Sequence, residues 1–449
     1  MGIKIYNTLS KKKEDFKPVN EDNITMYVCG PTVYSNPHIG NARSALVGDL
    51  WYRILKNKYK KVTYIRNITD VDDKIIDAAK KENRNVNEIT EKYYKTYKSN
   101  MDSLTLLDPT HEPKVTDFIP RIIEIITKII SSGYTYTSEG NVMFDTVKYT
   151  KYGKLSKRIA KEMLDGVRID VASYKKSPKD FILWKPSHKD QLGWDSPWGY
   201  GRPGWHIECT SMIKEIIGHD STLDIHGGGN DLIFPHHENE LAQGNCVSKN
   251  EYCNYWFHNG IVLVNKKKMS KSLGNVVLIE DLLKNTSPIS IKYALLSSHY
   301  RQPLNWTSEV LNNSINIVTK YKNLISEMKN NEKEYIPDNE LVSILEDDLN
   351  TPAALNYIST LVKNINNNKS NYSKFLFCID FLGLNIVDDI SNVISEIDNK
   401  IVEQLIKERN VARLKKNFNK ADLIRKKLSS LNVEIKDDGN QTVWKFKPK

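Results

Sequence analysis

No apolar run in this chain approaches the ~20 residues needed to cross a bilayer, which excludes a helical membrane protein. Cysteine is scarce: five in 449 residues, an odd number without a Cys-x-x-Cys pair. That argues against a secreted disulfide scaffold and against zinc-finger spacing, and points to a reduced, cytoplasmic setting. The opening Met1-Gly2-Ile3-Lys4-Ile5-Tyr6 runs into Lys11-Lys12-Lys13-Glu14-Asp15 with no signal-peptide core. A Gly-x-Ser-x-Gly elbow and a catalytic cysteine motif are missing, so no protein nucleophile is expected. No segment is repeated.

Charge of one sign is in excess. The net charge is +10, and residues 401–449 hold thirteen Lys and Arg against six Asp and Glu, an excess of +7. A basic tail is the electrostatic footprint of a nucleic-acid partner. The Lys- and Asn-rich composition of the whole chain would also serve solubility, and charge alone does not choose. Length and a hydrophobic content of 39% fit a globular protein of two to four domains.

Two short motifs stand far apart. His38-Ile39-Gly40-Asn41 follows the apolar Met26-Tyr27-Val28 and a turn at Gly30-Pro31, and opens a helical stretch from Asn41 to Lys56. In such a strand–loop–helix layout, helix N-terminal amides can receive a phosphate. Lys268-Met269-Ser270-Lys271-Ser272, ending at Gly274, puts two lysines and two hydroxyls on a short segment suited to gripping a polyphosphate. Alone, the first is a helix-start turn and the second part of a solvated basic run beginning at Lys266. In this order they resemble the two signature sequences of class I aminoacyl-tRNA synthetases.

Metal chemistry strengthens the reading. Cys29 ends the first apolar run, and Cys209 closes the strand-like Gly204-Trp205-His206-Ile207-Glu208, expected to end at the same sheet edge. His236 and Glu240 are four apart in a helix-compatible stretch, so they share a face. Two sulfurs, one imidazole and one carboxylate make a zinc set. Periodicity does not separate His236 from His237 or Glu240 from Glu238, and both cysteines also suit small buried hydrophobic positions. Cys246, Cys253 and Cys378 are expected to be structural thiols.

Met26-Tyr27-Val28-Cys29-Gly30-Pro31-Thr32-Val33-Tyr34 resembles the opening of cysteinyl-tRNA synthetases. So do residues 66–75, beginning Arg66-Asn67-Ile68-Thr69-Asp70, and Gly201-Arg202-Pro203-Gly204-Trp205-His206-Ile207-Glu208-Cys209. Asp224-Ile225-His226-Gly227-Gly228-Gly229-Asn230-Asp231-Leu232, Phe234-Pro235-His236-His237-Glu238-Asn239-Glu240 and residues 268–275 complete the set. The resemblance implies one Zn²⁺ per chain on Cys29, Cys209, His236 and Glu240, with Thr69, Trp205 and His226 beside the amino acid. Soft sulfur binds zinc as thiolate, whereas a serine hydroxyl is a poor ligand. Apolar contacts separate similar side chains by only about 1–3 kcal/mol, so direct metal readout removes the need for editing.

The implied reaction joins cysteine to ATP, accompanied by Mg²⁺, as cysteinyl-adenylate and pyrophosphate, then passes the cysteinyl group to the 3'-terminal ribose of tRNA(Cys). No dedicated magnesium site is legible. His38 and Asn41 would hold the phosphates from one side and Lys268 and Lys271 the departing pyrophosphate from the other. Gly40 belongs to the same ATP loop, and Gly227, Gly228, Gly229 and Asp231 would lie against adenosine, although three glycines after a strand also make a tight turn. Many relatives carry a second histidine where this chain has Asn41, which donates a hydrogen bond but carries no charge. Asp70, Asp72 and Asp73 read as helix capping and a solvated face rather than a cation site.

The expected architecture is an α/β Rossmann-like catalytic domain with an inserted connective domain, followed by an α-helical bundle and a small mixed C-terminal domain. The expected boundaries are 1–132 and 198–268 for the two catalytic halves, 133–197 for the insertion, 269–306 for the lysine loop and its support, 307–400 for the bundle and 401–449 for the basic end. A helix is expected over Val115 to Ile130 and a helical region from Leu311, broken at Asn330-Asn331 and Asn367-Asn368. The end should form a helix at Ala421 to Arg425, a turn at Asp437-Asp438-Gly439-Asn440 and a strand through Trp444. A monomer is expected, with no membrane partner. A ligase passing cysteine to an amino sugar would not need the basic helical end, and a non-catalytic zinc-containing tRNA binder would not need an ATP clamp.

Overall fold

The computed structural model describes residues 2–157, 172–328, 336–365, 370–384, 386, 396–415, 417–430, 433–438 and 441–446. The chain divides into two units. The first comprises residues 1–280, 296–306 and 338–360; the second, residues 281–295, 307–337 and 361–449.

At the centre of the first unit, four parallel strands lie in the order Cys253–Asn259, Leu223–Gly229, Ile24–Val28, Val62–Arg66. Their near-continuous burial is that of a parallel sheet covered on both faces. The chain enters at Ile24–Val28, steps to one side for Val62–Arg66, and returns on the other side at Leu223–Gly229. The order therefore reverses between Ile24–Val28 and Leu223–Gly229, and ligands bind in the crevice beyond the carboxyl ends at such a point.

The helix Ile39–Lys58 follows the first strand and buries Ala42, Leu46, Leu50, Trp51, Ile54 and Leu55 along its length. Arg43 on this helix is only 1% exposed. Its guanidinium donates to the carbonyls of Gly260, Ile261, His299 and Gln302 and to Ser298 Oγ, at 2.7–3.1 Å. Burial lowers its pKa to about 10, which leaves it charged at neutral pH.

Between the parallel strands Val62–Arg66 and Leu223–Gly229 the chain forms an antiparallel sheet of Thr135–Ser138, Asn141–Phe144, Phe181–Pro186 and Gly201–Pro203, the last strand lying beyond the expected end of the insertion at 197. The expected helix near Val115 is a 3₁₀ turn, Val115–Phe118, leading into the α-helix Ile119–Ser131, which buries Ile119, Ile122, Ile125, Ile126 and Ile129. One expectation fails. Cys209 stands not at a strand end but on the helix Trp205–Ile217. That helix buries every residue from Ile207 to Lys214, so no amphipathic stripe revealed it. The aspartates behave as caps and ion pairs: Asp72 caps Asp73–Glu82, Asp70 accepts from Thr116, and Asp73 pairs with Lys185 and Arg202.

The second unit contains the helices Ser308–Glu327, Ser370–Phe381, Glu396–Leu414 and Phe418–Ser430 and an antiparallel hairpin of Val433–Asp438 with Gln441–Phe446. Val402, Leu405, Ile406, Ile424, Leu428 and Val433 form a core at its C-terminal end. Asp437 and Asp438 belong to a strand rather than a turn, because Arg409 and Arg413 grip the Asp437 carboxylate. Asn330-Asn331, Asn367-Asn368 and Gly439-Asn440 lie outside the described residues.

Replacing Arg43 with leucine leaves several buried carbonyls without a donor. Arg43→Leu is expected to destabilise the protein by about 3 kcal/mol, read as a lowered urea midpoint of the first unit.

Candidate functional site

Cys29 follows the strand Ile24–Val28 directly, and its N–H donates to the Gly227 carbonyl at 3.0 Å. Cys209 approaches from the helix Trp205–Ile217, and His236 and Glu240 from a helical stretch crossing from Ile233–His237 into Glu238–Val247. The Nε2 of His236 lies 3.1 Å from Glu240 Oε1 and 3.6 Å from Cys209 Sγ, and Cys29 Sγ lies 3.9 Å from the same Glu240 oxygen. A tetrahedral zinc ion with ordinary bond lengths has donor–donor edges of roughly 3.3–3.8 Å. The three separations lie close to that range, and all four donors lie within 4.8 Å of one another, so the group could hold such an ion. Cys29, Glu240, His226 and His237 form a second set under the same limit.

The surroundings distinguish the neighbouring residues. Glu238 accepts from the backbone N–H groups of Gly153, Leu155 and Ser156, so it anchors a loop. Glu240 is fully buried, and its second oxygen meets His226 Nε2 at 2.9 Å and the Tyr252 hydroxyl at 3.1 Å. Nδ1 of His226 is buried without a partner among the described residues, so the ring meets Glu240 through Nε2 alone. Nδ1 of His236 faces His206 Nδ1 at 2.9 Å, an outer contact that fixes the ring and aims Nε2 inward.

Electrostatics favour an anionic cluster. Burial pushes Glu240 up, but His226 and His236 outweigh it and hold the carboxyl at about 2. Burial disfavours charge on His236, yet Glu240 and Cys209 raise its pKa to about 10. A hydrogen bond from Cys29 lowers the Cys209 thiol to about 6 against its burial. Burial, then Cys209, raises Cys29. A metal ligand must be deprotonated, and the cluster already stabilises one thiolate and one carboxylate.

The nucleotide side is built around the start of Ile39–Lys58. His38 Nδ1 accepts from the Gly40 and Asn41 N–H groups, while Asn41 Oδ1 accepts from the His38 N–H. This capping box fixes both side chains and occupies two of the amides that the sequence offered to a phosphate. The residues after the lysine loop return to this point: Leu278 bridges His38, Ile39 N–H donates to Val277 at 3.0 Å, and Asn36 donates to Glu280 at 2.5 Å. A Cβ on Gly40 would stand 3.0 Å from the His38 ring and 3.4 Å from Met269 Cε, so the two motifs meet there. Lys268 is exposed on the short strand Lys267–Lys268. Asn275 shapes the loop by accepting from Ser270 N–H and donating to the Lys268 carbonyl. Lys271 begins a 3₁₀ turn, and its side chain lies outside the described residues.

Thr69 is buried beside the loop after Cys29: its N–H donates to Pro31 and its hydroxyl accepts from Asn67. Trp205 is 40% exposed and stacks on His236 at 4.4 Å. Gly227 is demanded by packing, because a Cβ there would meet the Phe257 ring at 2.0 Å. Gly228 lies under His237 and Leu232; Gly229 and the exposed Asp231 form the turn into Asn230–Leu232. Sequence reasoning missed Asn67, His206, Tyr252 and His258 as partners of the site. His206 was visible inside a quoted motif; His258 and Tyr252 carried no local signal.

Residues 15–316 match the family described as "tRNA synthetases class I (C) catalytic domain". The cysteine–tRNA ligase of Parvibaculum lavamentivorans is 43% identical, covering 99% of this chain and 98% of that protein. That of Pelagibacter ubique is 42% identical, covering 99% of each. Among solved structures, methionyl-tRNA synthetase of Mycobacterium tuberculosis in complex with methionyl-adenylate shares the fold, with a TM-score of 0.53, 15% identity and coverage of 82% of this chain and 83% of that one. A leucyl-tRNA synthetase from Agrobacterium radiobacter, solved as a ternary complex, matches with a TM-score of 0.56 and 10% identity over 82% of this chain and 84% of its own. With its Rossmann-like parallel sheet, inserted antiparallel sheet and helical C-terminal region, the chain belongs to the cysteine–tRNA ligase family of class I aminoacyl-tRNA synthetases.

Proposed function

We propose that this chain activates cysteine with ATP and transfers it to the 3'-terminal ribose of tRNA(Cys). The observation that carries the reading is the convergence of Cys29, Cys209, His236 and Glu240 within 4.8 Å of one another beside the switch point of the sheet. A zinc ion held there would supply soft-sulfur recognition of the substrate thiolate. The first donor set is preferred because it contributes two sulfurs, one already lowered toward thiolate.

Trp205, stacked over His236, and Thr69, held by Asn67, bound the space for the amino acid. His226 orients Glu240. On the ATP side, His38 and Asn41 are held rigid by mutual capping, so they can meet the phosphates without reordering. Lys268 and Lys271 stabilise the charge that builds on pyrophosphate as the cysteine carboxylate attacks the α-phosphorus. Gly227 to Gly229 and Asp231 line the adenosine side, and Mg²⁺ travels with ATP. The basic end binds RNA through its phosphates. No helix among the described residues is long and apolar enough to cross a membrane, and five cysteines without a disulfide support a cytoplasmic setting.

Labelled cysteine should charge tRNA in an ATP-dependent way while serine does not. Absence of labelling by folded, zinc-loaded protein overturns the reading. Cys209→Ser is expected to lower zinc content and cysteine-dependent ATP–pyrophosphate exchange together; retention of both would refute the ligand assignment. Lys271→Ala should slow exchange by roughly 10²-fold or more without changing zinc content, as read by metal analysis. Removing the residues after 401 should reduce transfer to tRNA by about tenfold at physiological salt and spare exchange; equal loss of both would refute the division of labour.

A further inference from the structure

A cavity of about 260 Å³ opens between the start of the helix Asp73–Glu82, the strands Phe181–Pro186 and Gly201–Pro203, and the start of the helix Trp205–Ile217. Small-ligand pockets begin at about 300 Å³, so this one suits a single nucleobase and little more. Glu208 lines it. The residue is 1% exposed, and its Oε2 is buried with no hydrogen-bond partner among the described residues. An unmatched buried carboxyl oxygen is costly, so a donor from outside the chain would complete the site.

The surroundings narrow what that donor is. Glu208 belongs to neither group of described residues whose donor atoms converge as a metal would require. Tyr174, Phe181 and Trp205 give the cavity aromatic walls, and unpaired bases seat on such walls. At the rim, Lys185 and Arg202 are engaged by Asp73 at 2.8 and 2.7 Å, whereas Lys175 makes no ion pair among the described residues. A cation at the mouth suits a backbone phosphate. Trp205, stacked on His236, borders both this cavity and the space assigned to the amino acid. The sugar of a base seated here would therefore lie beside the activated carboxyl.

A carboxyl group offers an acceptor in either protonation state, so the match does not depend on charge. Adenine presents an amino donor, whereas guanine would oppose its O6 acceptor to Glu208. We infer that this cavity receives the 3'-terminal adenine of tRNA, with the amino group donating to Glu208 Oε2 and the adjoining phosphate meeting Lys175. Glu208 is thereby a specificity-determining residue for the transfer step. This assignment rests on the proposed ligase reading, and the test separates the two.

Zinc-loaded full-length protein is compared with Glu208→Met and Glu208→Gln on two forms of tRNA(Cys), one ending in adenosine and one in purine riboside, which lacks only the amino group. Wild type should transfer cysteine to the purine-ended tRNA with kcat/KM lowered roughly 10- to 100-fold. Glu208→Met removes the acceptor and should treat the two tRNAs alike, with zinc content, urea midpoint and the KM values for cysteine and ATP in exchange unchanged. Glu208→Gln keeps an acceptor and should restore most of the preference. Lys175→Met should slow transfer to both tRNAs equally and reduce the salt slope by about one. If the methionine variant does not fold, wild type on the two tRNAs decides alone. Equal charging of both tRNAs by wild type overturns the assignment, as does a preference that survives in Glu208→Met. A raised KM for cysteine or ATP in that variant also overturns it, by placing Glu208 in the amino-acid or nucleotide site. Wild type that supports no cysteine-dependent exchange refutes the ligase reading itself.

Discussion

A carboxylate in a dry interior has to be matched, and the site is arranged around one. Glu240 is fully buried, and its two oxygens are taken by His236 on one side and by His226 and Tyr252 on the other. Leaving such a charge unpaired costs several kcal/mol, so its partners are tied to one another as firmly as to the core. They come from three different elements: His226 from the central strand Leu223–Gly229, His236 from the turn before Glu240, and Tyr252 from the residue preceding Cys253–Asn259. The pairing that satisfies this carboxylate thus also fixes the spacing of the sheet's second half against the helix carrying the site. Cys29 and Cys209 are then presented to it from the first strand and from the helix after the insertion.

The nucleotide side obeys a different constraint, continuity rather than charge. The lysine loop is exposed and has little packing of its own, so its position depends on where the chain goes next. The bridge between Leu278 and His38, with the flanking bonds at Pro37 and Val277, pins the end of that loop to the helix start. Arg43, one turn further along, gathers carbonyls from residues 260–261 and 299–302. Two segments far apart in sequence are therefore held to one helix end, residues 277–279 by backbone hydrogen bonds and residues 260–261 and 299–302 by the Arg43 guanidinium.

What could be read from the sequence follows from how local its cause is. The helix from His38 and the isoleucine face of Ile119–Ser131 were legible because capping residues and 3.6-residue spacing act within a few positions. His236 and Glu240 were legible as an i, i+4 pair. The choice of Glu240 over Glu238 was not, since it depends on three backbone donors from residues 153–156, far off in sequence. Cys209 was misplaced because a helix buried all round carries no polar face to mark its period. In the glycine run after His226, the packing demand that Phe257 on the adjacent strand makes on Gly227 had no local signal. Asp437 reads as a turn former until two arginines from Glu396–Leu414 neutralise it within a strand.

Thr8 and His258 are the hardest case, for each is unremarkable where it stands. A threonine near the start of the chain and a histidine late in a buried strand acquire meaning only when the sheet sets them in line with His237 and Cys29. Donor and acceptor roles along such a line are not independent, because neutral imidazole passes polarity from one nitrogen to the other.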